Sequence, residues 1–549
     1  MNTKQSNQRK QSILAGAMIS SVGIFVAKLI GLLYTIPFRT IIETNANANY
    51  FGLTQQMYTY LLNVSQAGFP FAIATLVAKY SAKQDYQTSL LVKKISNRLM
   101  FTFGATMMII LMIVSSPLAD YVFSGEGNPE DFRWAIFMSS FALFFVPILS
   151  SIRGFYQGLK EMELYSISQV LEQLANAGFA LIASAIAVYI FHIDKVWAVY
   201  LGILATSVAA ITAILFLKYY DRKKMKELLH LAKHQPIKRM ISGKYIVKEL
   251  FYVSIPFMLT ALLGYSDSII NAIILPKGLE SYGYNDHDTT LIQSVVNYSA
   301  LKLMSIPQVL ALGFCSAIIP HISNAKAKKD YRLIRKNILD CIDIVLYIAI
   351  PISFCLYVFA QGLIVTLYPP ENVKDISYAV KILQWFSILA LLNTVAPIIT
   401  TSLTASGLKK KSVRNVAIEV VVKIGSVYFM IAAFGYVGMV ISTFTSMMIL
   451  ILLGLYDLSK YHGSNFRYTL RKLVIIILGC VVLWGIAQIC FLLGLDSHYK
   501  HGKFIALVQL IVSGSLSCLG YFLFTYMCSL PQILFHIDLK KMIQKLKRG

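Results

Sequence analysis

Fourteen long apolar stretches divide this chain of 549 residues, and the short segments between them alternate between runs rich in Lys and Arg and runs almost free of them. About 20 apolar residues cross the hydrocarbon core of a bilayer as a helix, and Lys and Arg collect in the loops on the cytoplasmic side. The pattern predicts an all-α polytopic membrane protein with 14 transmembrane helices and both termini in the cytoplasm. Composition enters as a check: 57% hydrophobic residues, 14% charged residues and a mean hydropathy of +0.64 leave too little polar surface to clothe a soluble globule.

The spans fall near residues 13–42, 50–79, 97–118, 133–153, 164–191, 196–218, 249–275, 291–320, 338–368, 376–406, 413–434, 436–456, 471–494 and 504–527. A net charge of +24 would suit a nucleic-acid binder, but its placement argues otherwise. Most of the 50 Lys and Arg residues lie in tails and loops assigned to the inside. The outer loops hold only scattered lysines (Lys195, Lys277, Lys374, Lys500 and Lys503) beside the acids Asp120, Glu126, Glu130, Asp131, Glu280, Asp286 and Asp288. The basic excess orients helices and faces anionic inner-leaflet lipid, so membrane lipids are partners and nucleic acid is not. The apolar start continues past Lys28 to Pro37 without a small-residue cleavage pattern, which reads as a retained first helix. The seven cysteines lie in or beside spans with no C-x-x-C spacing, implying neither disulfides nor metal.

An internal repeat organises the chain. A shift of 245 positions superposes Gly68, Phe69, Ala72, Ile73, Ala82, Lys83, Asp85 and Tyr86 on Gly313, Phe314, Ala317, Ile318, Ala327, Lys328, Asp330 and Tyr331. Gly158-Leu159-Lys160 has an echo in Gly407-Leu408-Lys409. Polar loop positions match along with the helical ones, so the likeness is more than shared apolar composition. Six helices per repeat keep both halves in one orientation, related by an axis along the membrane normal. The expected layout is two pseudo-symmetric six-helix lobes plus two C-terminal helices: an N-lobe over 1–218, a basic cytoplasmic linker over 219–248, a C-lobe over 249–460, helices 13 and 14 over 461–528, and an amphipathic cytoplasmic tail over 529–549. The linker, with Arg222, Lys223, Lys224, Lys226, Lys238 and Arg239, is the longest inside loop.

Two facing lobes make a transporter geometry, and intramembrane charges should mark its cavity. Lys28 lies well inside the first span and Lys302 near mid-depth of the eighth, neither with an acid four residues away. Arg39, after Pro37, is a third candidate cation, with snorkelling to the headgroups as its other reading. Glu419 and Lys423, spaced i, i+4 on the eleventh helix, should neutralise each other. Glu172, with Gln169 and Gln173, forms a polar patch on the fifth helix that faces either the cavity or a neighbouring helix. Asp267, in a Ser-Asp-Ser on the seventh, is a candidate for a coupling cation or proton. For both acids, hydrogen bonds in helix packing are the competing reading.

The stretches Ala27-Lys28-Leu29-Ile30-Gly31, Ser65-Gln66-Ala67-Gly68-Phe69-Pro70, Arg153-Gly154-Phe155-Tyr156-Gln157-Gly158-Leu159, Ser168-Gln169-Val170-Leu171-Glu172-Gln173 and Leu301-Lys302-Leu303-Met304-Ser305-Ile306-Pro307 carry a family resemblance. The chain resembles the multidrug/oligosaccharidyl-lipid/polysaccharide (MOP) exporter superfamily, in its polysaccharide-transporter and lipid II flippase branch of MurJ-type and SpoVB-like proteins. The resemblance implies transport of undecaprenyl-linked sugar intermediates through a cavity lined by basic residues of helices 1, 2 and 8. It implies that role for Lys28 and Lys302, and a groove for the lipid tail formed by helices 13 and 14. The next basic position of the family on helix 1 falls near Tyr34 or Thr35 here, with Arg39 about a turn away, and helix 2 has no Arg near Asn63.

The expectation is a flippase for an undecaprenyl-pyrophosphate-linked sugar, lipid II or a related cell-envelope precursor, working by alternating access as a monomer in the cell membrane. It needs no catalytic residue, metal or cofactor, only a coupling ion (Na+ or H+) or the membrane potential, and cell-envelope synthesis enzymes are candidate partners. Two other readings stay open. A cation-coupled multidrug exporter of the same superfamily would want cavity carboxylates, for which Asp267 and Glu172 stand. A membrane glycosyltransferase or polymerase would want catalytic groups in a sizeable loop, for which the outer segment 276–290 offers Glu280, Asp286, His287 and Asp288. The tail residues Ile533, Leu534, Ile537, Met542, Ile543 and Leu546, set against Lys540, Lys541, Lys545, Lys547 and Arg548, read as an amphipathic helix on the inner leaflet.

Overall fold

The structure, a computed structural model, describes residues 25–159, 161–235, 241–309, 322, 325–326, 329–370, 372–497 and 502–535. Every described regular element is helical. In chain order they are α1 (Phe25–Ile42, bent at Tyr34), α2 (Asn45–Ala82), α3 (Tyr86–Val122), α4 (Pro129–Gly158), α5 (Met162–Ala185, ending in a π turn), α6 (Val196–Lys233), α7 (Gly243–Gly264) and α8 (Ser266–Tyr282). Next come α9 (Asp286–Ser294, running through a π turn into helical residues 301–309), α10 (Tyr331–Val358), α11 (Ala360–Leu367), α12 (Ile376–Ser406), α13 (Lys409–Phe434), α14 (Tyr436–His462), α15 (Arg467–Cys490), α16 (Lys503–Met527) and α17 (Leu530–Phe535).

Twelve of the described helices are long and apolar enough to cross a membrane. The seventh and eighth expected spans are not among them. The seventh breaks at Tyr265 into α7 and the 17-residue α8, and the eighth passes into residues 310–321, outside the described residues. Residues 1–24, Lys238 and Arg239 of the linker, most of the second repeat copy, and tail residues 536–549 also lie outside them.

Helix ends follow local chemistry. Thr44, Asp85, Asn128, Ser242, Asn285 and Asp330 each accept a hydrogen bond from a backbone N–H in the first turn of the helix they precede, satisfying donors that have no partner within the helix. The repeat is visible at this level. Gln84 and Lys329, 245 positions apart, both take positive φ (58° and 57°), and the aspartates that follow them cap the next helices. The echo at Gly158 and Gly407 is looser, since Gly407 is left-handed (φ 99°) and Gly158 is helical.

Several helices outrun a bilayer. At about 1.5 Å per residue, the 38 residues of α2 and α6 and the 37 of α3 reach well beyond a hydrocarbon core of about 30 Å. The surplus of α6 corrects one expectation: the basic linker is not an open loop, because the helix runs on to Lys233 and α7 begins at Gly243. Likewise, the outer segment 276–290 is mostly helix, leaving only residues 283–285 between α8 and α9. Apolar periodicity ends where the hydrocarbon ends, but backbone hydrogen bonding does not, so hydropathy alone cuts helices short.

The chain divides into two compact units, 1–298 and 299–549. In the first, α2 is the central strut. Helix α4 crosses it through small residues: a Cβ on Gly154 would lie 2.8 Å from the Pro70 carbonyl oxygen, and one on Gly158 2.8 Å from that of Ala74. Ala72, Ile73, Leu76, Val77 and Tyr80 of α2 form a core with Val92, Phe155, Leu228, Ile246 and Leu250. In the second unit, α12 packs on α10 and α14, the α13–α14 hairpin turns at Gly435, and α15 and α16 cover α10 around Tyr347, Leu483 and Tyr521. Apolar side chains such as Phe504, Ile511, Leu519 and Leu523 remain exposed on α16, as they would facing lipid.

Candidate functional site

A stretch of α2 near its start meets α9 through carboxamides. Asn49 Nδ2 donates to Gln293 Oε1 (2.6 Å), Asn297 Nδ2 to Asn49 Oδ1 (2.8 Å) and Gln56 Nε2 to Asn297 Oδ1 (2.8 Å). Gly52 makes this approach possible, because a Cβ there would stand 2.6 Å from the Asn297 carbonyl oxygen. Tyr298 Oη ties the same segment to α1 by donating to the Thr35 carbonyl (2.7 Å). Near its other end, α2 meets α7: Lys79 pairs with Glu249 at 2.5 Å, and a Cβ on Gly68 would sit 2.4 Å from the Ser254 carbonyl oxygen. The first unit is thus stitched on both halves of one helix. Gly52→Val should force α2 and α9 apart at a cost of about 2 kcal/mol. A thermal midpoint equal to that of the unaltered protein would rule out the close contact.

Lys28 lies one helical turn before Gly31, where α1 is pinned to α5; a Cβ on Gly31 would be 2.9 Å from Gln173 Oε1. Its side chain is exposed, and no acid among the described residues pairs with it. Lys302 is half-buried in the helical segment after the π turn, also without an acid partner among the described residues. A π turn displaces the backbone register and recurs at functional sites. Lys28 belongs to the first unit and Lys302 to the second.

Arg39 is placed differently. Its guanidinium, 4% exposed, donates to the carbonyls of Glu43 and Thr44 and to Asn45 Oδ1 (3.0 Å), clamping the turn from α1 into α2. Carbonyls left over at a helix end draw a guanidinium that hydropathy alone places loosely near the headgroups.

Glu172 pairs with Arg153 Nη1 at 2.7 Å, and Arg153 Nε donates to Ser168 Oγ at 2.9 Å. The signature stretches of α4 and α5 therefore meet in one buried cluster. Gln169 Nε2 donates to Tyr165 Oη (3.2 Å). Arg153 Nη2, Gln169 Oε1 and Tyr58 Oη are buried with no hydrogen-bond partner among the described residues. The pairing of Arg153 with Glu172, 19 positions on, is the element that sequence reasoning missed. Both residues stand in conspicuous motifs, but no spacing rule links positions on different helices.

Asp267 opens α8 just past the break at Tyr265 and accepts from Asn271 Nδ2 (3.0 Å). The partial positive charge of a helix N-terminus favours a carboxylate there. Tyr60 of α2 donates to the Leu262 carbonyl (3.3 Å) just before the break. Among the described residues, no group of three or more His, Cys, Asp or Glu could hold a metal ion.

Helices with apolar faces, small-residue crossings and a sparse set of charges within the spans define a multi-pass membrane protein. Residues 13–326, more than half of the chain, match the family described as polysaccharide biosynthesis protein, and the chain belongs to that family. Residues 298–429 also match the MatE family. The lipid II flippase MurJ of Bacillus subtilis (strain 168) is 24% identical over 510 residues, covering 92% of this chain and 93% of that protein. The stage V sporulation protein B of the same organism is 23% identical over 483 residues, covering 86% and 89%. Among solved structures, an inward-facing multidrug resistance MATE transporter of the MOP superfamily has a TM-score of 0.64 at 16% identity, covering 82% of this chain and 99% of that one. A lipid II flippase MurJ in an inward closed conformation has a TM-score of 0.60 at 14% identity, covering 94% and 99%. Two of these proteins are lipid II flippases and one is a multidrug transporter.

Proposed function

We propose that the protein is a flippase that carries an undecaprenyl-pyrophosphate-linked sugar, lipid II or a related cell-envelope precursor, across the cytoplasmic membrane. The observation that carries this reading is the pair Lys28 and Lys302, intramembrane cations with no acid partner among the described residues, in a family whose relatives include a lipid II flippase. A lipid-linked sugar diphosphate has an anionic head that cannot cross hydrocarbon alone and a tail that need not leave it. Ammonium groups offer the diphosphate charge-assisted hydrogen bonds, and an unpaired lysine inside a membrane protein is costly enough to call for such a ligand. In this reading both termini are cytoplasmic, two six-helix lobes alternate access to a central cavity, and the last two spans, α15 and α16, cradle the tail. A coupling ion at Asp267, or the membrane potential, supplies direction. Glu172, engaged by Arg153, and Arg39, engaged by its turn, support the lobe rather than grip the cargo.

Depletion in the native cell tests this. One undecaprenyl-linked precursor should accumulate on the cytoplasmic face. If no precursor accumulates while susceptibility to cationic drugs rises, the multidrug reading takes its place, the reading that the MatE match over 298–429 favours.

A further inference from the structure

The α13–α14 hairpin holds a charge that cargo binding does not use. Lys423, on the inward stripe of α13, is fully buried at 0% exposure, and Glu419, one turn before it on the same stripe, is 6% exposed. Residues four apart on a helix are side-chain neighbours. Lys423 Nζ donates to Thr443 Oγ1 of α14. The seam continues as oxygen: Ser426 Oγ bonds Ser442 Oγ at 2.8 Å, and Asn415 Nδ2 donates to Asp457 Oδ2 at 2.9 Å, an acid also held by Arg414 at 2.8 Å.

A hydroxyl that accepts from the buried Lys423 ammonium, with a buried carboxylate one helical turn away and both closed to solvent, supplies oxygens of the kind that hold a small cation, because hard cations take oxygen ligands. Here the positive charge arrives on a side chain. We infer that Lys423 is a tethered counter-cation, filling with its own ammonium an oxygen-lined site between α13 and α14 that would otherwise take a dissociable monovalent cation. The bilayer makes this economical in charge: an ammonium and a carboxylate held together are tolerated there, and either one alone is not. The site is full at all times, so the hairpin moves as one body with no ion exchanged in this seam.

Removing the tether should turn the seam into a site for soluble cations. The full-length protein, purified in detergent, is unfolded thermally in NaCl, KCl, methylammonium chloride or choline chloride at one ionic strength. Wild-type midpoints should agree within about 1 °C across the four salts, whereas Lys423→Ala should melt lower in choline and recover by about 3 °C or more, saturably, with methylammonium or an alkali cation. The neutral pair Glu419→Gln with Lys423→Met should show no such response. If Lys423→Ala can be purified only in methylammonium or an alkali salt, that selectivity supports the site equally. Equal midpoints for Lys423→Ala in all four salts, recovery of that variant in none of them, or a wild-type midpoint that itself rises with Na+, would overturn the inference.

Discussion

Replacing Lys28 and Lys302 together by Ala should abolish rescue of cells depleted of this protein while its abundance in the membrane is unchanged. In the proposed function each ammonium would offer the diphosphate a charge-assisted contact worth about 1.5–3 kcal/mol, so losing both should lower transport by a factor of roughly 100 or more. Neither side chain is part of a packed charge pair among the described residues, so the fold should survive the change. Lys28→Arg with Lys302→Arg keeps both charges and should retain measurable transport. Full rescue by the double alanine variant would remove the charge-based account of cargo binding.

A second large effect is expected at Arg153 and Glu172. Their side chains are 10% and 15% exposed, and the ion pair spans 2.7 Å. Deleting one partner of a buried pair strands the other, at a typical cost of about 3–5 kcal/mol. Arg153→Met should be the more harmful single change, because it also releases Ser168 and leaves the carboxylate of Glu172 without its ion-pair partner. Arg153→Met with Glu172→Met removes both charges and should regain much of that loss, since apolar groups of similar volume tolerate the site better than one orphaned ion. Thermal unfolding of the three variants would decide it. Single variants within about 0.5 kcal/mol of wild type would mean that the pair is electrostatically idle.

How much of this was legible in advance varies with the range of the interaction. The apolar spans could be read because lipid demands about 20 apolar residues of any helix that crosses it, and twelve of the described helices answer to that demand. The match of Asp85 with Asp330 was legible as sequence identity, and the structure adds that both aspartates cap the helix they precede, an interaction that depends on residues a few positions apart. The break at Tyr265 was not, since the Ser-Asp-Ser that follows it reads as polar residues on one continuous span and hydropathy registers no change in backbone direction. Arg39 illustrates the same divide: its charge was evident, but the carbonyls of Glu43 and Thr44 that occupy it depend on how α1 turns into α2.

The chain by itself determined the solvent, the helical class and the scarcity of intramembrane charge, because each follows from composition and local period in a medium that leaves no backbone group unpaired. Only the tertiary structure decided which charges are already spent. Arg153 meets Glu172, Lys423 meets Thr443 and Asp343 meets Lys472 across distances in sequence that no periodicity encodes. The physical reason is that a buried charge is stable only with a partner, and partners on different helices are chosen by packing rather than by spacing.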